Sequence, residues 1–250
     1  MTPSIQRSVS DAEWQTRCDL AALYRIFHEL GLTYLIYTHL SARVPGEAGA
    51  FLINRYGEMF DEVTATSLVK MDFDGNVIGG PANFSKPGFM IHSTIYQARP
   101  DVNCVTHTHT SAGCGVSTLK QGLRPISQDA LEIYDELGYH PYGDPTTAEE
   151  CEQLARSCAE ANCIILCNHG LLTVGDTIPS GFIRMYYLDQ ACKVQVAATT
   201  SSDENLEMPK EAQQALSARL KELRKSGRYG QLEWQSLQRM LGRRGIDYRC

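Results

Sequence analysis

The sequence predicts a mixed α/β domain over residues 1–200 and a helical tail over 201–250, and three observations predict it. Stretches with apolar residues every three or four positions alternate with short β-rich runs. Gly, Pro and Asn punctuate the joins between them. Beyond a polar segment, Ser201 to Pro209, only helical periodicity remains. With 250 residues, 43% hydrophobic and 21% charged, the chain is long and apolar enough to bury a core without staples.

The elements follow in order. Ser10-Asp11 caps a helix whose apolar spacing runs from Ala12 to Leu30 and stops at Gly31. Tyr34 to Arg43, Ala50 to Asn54 and Leu68 to Phe73 read as strands, with Asp74-Gly75-Asn76 a turn after the third. Phe89 to Ala98 reads as a helix ended by Arg99-Pro100, Val102 to Thr108 as a buried strand, and Ser111 to Lys120 as a helix. Thr146-Thr147 opens a helix to about Ala161. Cys163 to Cys167 and Leu171 to Val174 are strands around the tight turn Asn168-His169-Gly170. Pro179 to Ala198, Lys210 to Lys225 and Gln231 to Leu241 are helical. There is no repeat and no low-complexity tract.

Composition excludes several classes of function. The net charge is −6, with 13 Lys/Arg against 22 Asp/Glu in residues 1–200 and 10 against 7 in the tail. An acidic body argues against a groove that tracks nucleic-acid phosphates. No apolar run reaches membrane-spanning length, and Met1-Thr2-Pro3-Ser4-Ile5-Gln6-Arg7 lacks the apolar stretch of a secretory signal. Nine scattered cysteines, an odd number without a C-x-x-C pair, read as reduced thiols of a cytoplasmic protein.

Histidines carry the chemistry. His107 and His109 lie two apart at a strand end, where residues i and i+2 point to one side, so two imidazoles converge. His169, on a turn between two buried strands, is the natural third ligand of a metal site with an open position. H-x-H pairs also occur on sheet surfaces without a metal. Other features read as structural. Gly79-Gly80-Pro81 is a loop without the strand–glycine–helix frame of a phosphate cradle. Cys163 and Cys167 share one side of the strand before His169 and read as small buried hydrophobes.

Gly88-Phe89-Met90-Ile91-His92, Ile95-Tyr96, Arg99-Pro100-Asp101-Val102 and His107-Thr108-His109 resemble the class II aldolase/adducin family, as does Asn168-His169-Gly170-Leu171-Leu172-Thr173-Val174-Gly175. The resemblance spans about Asp11 to Ala198 and takes in Ser41-Ala42-Arg43-Val44-Pro45-Gly46. The tail, with Tyr229-Gly230-x-Leu232-Glu233-Trp234, is similar to that of bacterial adducin-like members. The resemblance implies three layers, with a central mixed, largely antiparallel sheet flanked by helices, usually in a homotetramer. It also implies a divalent metal, commonly zinc, with manganese or iron as alternatives, on residues matching His107, His109 and His169.

The departures are as informative. The family's aldolases carry an acid/base glutamate where this chain has Gly88. Their phosphate-binding serines correspond to Lys86 and Pro87, and the Gly-Asn before the Ser41 motif is Thr38-His39. A tyrosine contributed across a subunit boundary falls near Gln128 or Asp129. Candidates for the missing group are His39, His92, Asp129, Tyr139 and His140. His92 stands on a helix, His39 at a strand, Asp129 at a cap near Ala130, and the last two in a turn, Tyr139-His140-Pro141-Tyr142. The resulting reading is a metal-dependent lyase, aldolase- or decarboxylase-like, acting on a small oxygenated carbonyl compound through an enolate, without an obligatory phosphate. Two other readings stay open: a non-catalytic adducin-like assembly domain, and an iron oxygenase on the same scaffold.

Overall fold

The computed structural model describes residues 4–199 and 206–250. Met1–Pro3, where the N-terminal run begins, and 200–205, which take in the start of the polar segment, lie outside the described residues.

An eight-stranded sheet forms the centre, in the order β4-β3-β2-β1-β5-β8-β7-β6. Its strands are β1 (His39–Arg43), β2 (Ala50–Ile53), β3 (Val69–Asp72), β4 (Val77–Ile78), β5 (Cys104–Thr108), β6 (Leu137–His140), β7 (Cys163–Leu166) and β8 (Gly170–Gly175). Every neighbouring pair is antiparallel except β6 and β7, which are parallel. The helices are α1 (Asp11–Glu29), α2 (Lys86–Ala98), α3 (Ser111–Ser117), α4 (Gln128–Leu131), α5 (Ala148–Ser157), α6 (Ile178–Thr199), α7 (Lys210–Lys225) and α8 (Gln231–Arg243). The architecture is the expected three-layer one.

Strand alternation assigns the two faces of the sheet. Leu40, Ala42, Leu52, Cys104, Ile165 and Leu171 join α1 and α6 in one buried cluster. Leu220 of α7 and Trp234 and Leu241 of α8 enter the same cluster, so the tail packs on this layer. Phe51, Ile53, Val105, Ile164 and Leu172 face the other way, against Phe89, Ile95 and Tyr96 of α2 and Leu154 of α5.

Five local readings change. Tyr34 to Thr38 is loop, because Leu35 takes a left-handed φ of +49° that breaks extended backbone, and Tyr34, Leu35 and Tyr37 remain about half or more exposed. Tyr139 and His140 close an edge strand rather than a turn, because α5 carries the chain back to a parallel partner, β7. The helix after β5 stops at Ser117, three residues short, with Gly113 and Gly115 weakening it. Asp129 is not a cap: the Ser127 hydroxyl accepts from Ala130 N, and Asp129 lies inside α4. The helix read from Phe89 begins at Lys86, capped by Ser85 with Pro87 in the first turn. The turn at Asp74-Gly75-Asn76 is closed by Asp72, whose Oδ1 accepts from the backbone N of Asp74 and of Asn76. Among the described residues no helix is long and apolar enough to cross a membrane.

Candidate metal centre

Strand pairing brings the three histidines together from 62 residues of chain. β5 carries His107 and runs antiparallel to β8, so Thr108 faces Leu171 and the β7–β8 turn lies beside the end of β5. That turn needs its own backbone: Asn168 takes φ +56°, a value asparagine tolerates. At Gly170 a Cβ would lie 2.5 Å from the carbonyl oxygen of Thr108 and 2.9 Å from the His109 ring, so only glycine fits. One nitrogen from each of His107, His109 and His169 lies within 4.8 Å of the others. The ring centroids are 4.6, 4.7 and 4.9 Å apart.

The donor set fits a divalent first-row metal. Nδ1–H of His107 donates to the Leu171 carbonyl at 2.9 Å, which leaves the lone pair on Nε2. That Nε2 stands 2.9 Å from Nε2 of His109. Two lone pairs at this distance repel, so a proton or a shared cation must lie between them. Burial holds His107 well below the ordinary histidine range, helped by the neighbouring His39, His169 and His109. Burial and His169 lower His109 to about 4, and burial and His140 lower His169. All three rings are therefore neutral near pH 7, the form that coordinates a metal.

A polar seam runs from this cluster between β1 and α2. His39 pairs with His107 across the strands, with the rings 5.1 Å apart. Its Nδ1 lies 2.6 Å from Nε2 of His92, and Nδ1 of His92 is hydrogen-bonded to the Ser41 hydroxyl. Ser41 Oγ is 2.8 Å from the Tyr96 hydroxyl, whose ring lies 4.8 Å from the Arg43 guanidinium. Burial, then His107, lowers His92 to about 3, and burial, then His92, pushes His39 well down. Burial raises Tyr96 well above its usual range. The seam is thus a row of neutral groups.

Gly88 fits this seam. A Cβ there would lie 2.7 Å from Cδ2 of His39 and 3.0 Å from its Nε2. The imidazole occupies the space a side chain at 88 would enter, so the two positions are sterically exclusive.

Of the candidate residues, His39 lies against the cluster and His92 reaches it through His39. His140 lines a small cleft with His169, Tyr142 and Cys167, with Nε2 2.6 Å from Glu150 Oε1 and Nδ1 3.0 Å from Ser157 Oγ. Tyr139 points to the opposite face of the sheet, where its hydroxyl accepts from Leu123 N at 2.9 Å. Asp129 lies on α4, which packs against α6 and α7, away from the three histidines within this chain. Cys163 is fully buried, as read, and Cys167 is half-buried beside His169.

Ser41, Tyr96 and Glu150 are site residues that sequence reasoning missed. The first two had a signal: His39-Ser41-Arg43 is polar at every second position, and Gly88, His92 and Tyr96 share one helical face at i, i+4, i+8. Glu150 had none of its own, because Thr147-x-x-Glu150 reads as a capping box, whereas its carboxylate reaches His140.

Fold and site define a class before any single relative is considered: a three-layer α/β protein with a histidine triad at the sheet's end. Residues 18–196 match the Class II Aldolase and Adducin N-terminal domain family, and the chain belongs to it. A crystal structure of an aldolase II superfamily protein from Pseudomonas syringae superposes with a TM-score of 0.94 at 39% identity, covering 99% of this chain and 100% of that one. The L-fuculose 1-phosphate aldolase of Glaciozyma antarctica superposes at 0.82 with 28% identity, over 95% and 93%. Rat alpha-adducin is 41% identical over 191 residues, which are 74% of this chain and 26% of that protein.

Proposed function

We propose that this protein is a metal-dependent lyase that cleaves a C–C bond, by retro-aldol reaction or decarboxylation, in a small oxygenated carbonyl compound. The observation that carries the reading is the convergence of three neutral imidazole nitrogens beside a fourth histidine, His39, whose ring lies 5.1 Å from that of His107 in the space above Gly88. His107, His109 and His169 hold the ion, zinc in this reading, with iron or manganese as alternatives that elemental analysis separates. The bound ion supplies Lewis acidity toward a carbonyl oxygen. His39 lies against the same face, backed by His92. The rings of Tyr34, 5.4 Å from His109, and Tyr142, 6.4 Å from His169, stand at the rim and flank an entering substrate.

An orthodox sugar-phosphate reaction is disfavoured, since Gly88 transfers no proton and Pro87 donates no hydrogen bond. The exposed aromatic rim of Tyr34, Tyr37 and Tyr142 supports a homo-oligomer, a tetramer in this reading, that walls in the site. The division at residue 200 is part of the proposal, supported by a family match that ends at residue 196. Nine free thiols support a reducing, cytoplasmic setting.

The test is metal content of protein purified without chelator or added metal, beside His107→Ala and His169→Ala. The expected outcome is near one ion per chain, with affinity reduced more than about 100-fold in each variant, beyond what loss of a supporting residue alone does. A metal-free protein with unchanged variants defeats the reading. That outcome favours the second one, a non-catalytic assembly domain, which the stretch shared with alpha-adducin and the glycine at 88 support.

A further inference from the structure

The seam between β1 and α2 can be hydrogen-bonded in two directions, which differ in whether the hydrogen without a partner falls on the Tyr96 hydroxyl or on the His39 ring. The Tyr96 hydroxyl, on a residue only 1% exposed, has Ser41 Oγ as its hydrogen-bond partner, so its O–H donates there. The Ser41 O–H then turns to Nδ1 of His92, which accepts. That fixes the His92 hydrogen on Nε2, and this N–H donates to Nδ1 of His39. The hydrogen of neutral His39 is left on Nε2, the ring nitrogen over Gly88, in a ring whose centroid lies 5.1 Å from that of His107. The reverse direction would run from His39 through His92 and Ser41 and end in a buried tyrosine O–H without an acceptor among the described residues.

We propose that Ser41, held by Tyr96, is a positioning residue that fixes this direction, so that His39 meets substrate as an Nε2–H hydrogen-bond donor and not as a proton-abstracting base. The proposal rests on the reading of the three-histidine face as the reacting site. In decarboxylation the C–C bond to the carboxylate breaks and CO2 leaves. The bonding pair passes into an enolate whose charge gathers on the adjoining carbonyl oxygen, a preorganised neutral N–H steadies that charge, and water then protonates the carbon. His39 transfers no proton in this step and neither ring changes charge.

Tautomers are read directly by long-range 1H–15N correlation on protein labelled with 15N-histidine, as purified and again after chelation. The seven histidines are resolved with His39→Gln and His92→Gln. The expected pattern is Nε2–H for both His39 and His92, retained in Ser41→Thr, which keeps the hydroxyl. Ser41→Ala removes the donor to His92 Nδ1, and a mixed pattern at His39 should replace the single one. An Nδ1–H tautomer at His39 in the unaltered protein overturns the proposal, as does an unchanged pattern in a folded Ser41→Ala. Metal content of the same samples is a separate readout: a metal-free cluster with the Nε2–H pattern in place would sink the metal centre while leaving the donor direction intact.

Discussion

One strand, β1, faces two different interiors. Leu40, Ala42 and the following Val44 enter the hydrophobic cluster packed on α1 and α6. His39, Ser41 and Arg43, their immediate neighbours, turn toward α2 and meet His92, Tyr96 and the carbonyls of Tyr96 and Arg99. The apolar side is held by contact area, which has no direction and accepts many packings of similar volume. The polar side has few solutions, since each hydrogen needs an acceptor at a set distance and angle. Stability and site geometry therefore lie on opposite faces of the same five residues.

The largest effect belongs to the apolar face. Leu40 is fully buried, and Leu40→Ala should remove about 2–5 kcal/mol of stability by lost transfer and a cavity. Metal content of the folded fraction should stay unchanged, measured by denaturant unfolding beside elemental analysis. Loss of metal at full folding would show that the two faces are not separable.

The seam should declare itself through pH. His92 has a folded-state pKa of about 3 against an ordinary value of 6.5. A depressed pKa means the unfolded chain binds a proton that the native state refuses. The stabilisation is complete above 6.5 and is lost as pH falls from there toward 3. The slope is up to about 1.4 kcal/mol per pH unit for each such histidine. Between pH 6.5 and 5, chelated protein should therefore lose stability more steeply than its His92→Gln variant. Parallel curves would mean that His92 is not held neutral.

How much of this was legible depends on which face carried the signal. The triad could be read because His107 and His109 share a strand end and His169 sits in a glycine-bearing turn, both local patterns. The helices and central strands followed from periodicity. The edge strand Leu137–His140 did not, because its pairing is parallel and is made only after α5 returns the chain to β7. The loop at Tyr34 read as strand because its aromatic run looks buried until Leu35 breaks it. The seam was half visible: the alternation in β1 and the spacing in α2 were each present, but their registration against one another is a tertiary fact. His92 and His39 were named separately, and nothing in the sequence says that they touch.

That registration is testable at Gly88. A methyl group there would lie 2.7 Å from the His39 ring, so Gly88→Ala should cost about 1–3 kcal/mol through overpacking, although alanine is the better helix former. In a His39→Ala background the ring is gone, and the same substitution should become neutral or slightly stabilising, because only helix propensity remains. A double-mutant cycle by denaturant unfolding isolates the coupling between the two positions. A coupling near zero would mean that the imidazole does not occupy the space above Gly88, and His39 would lose its place beside the triad. A coupling of the expected size would show that the imidazole carried by β1 fills the space that a side chain at position 88 of α2 would enter.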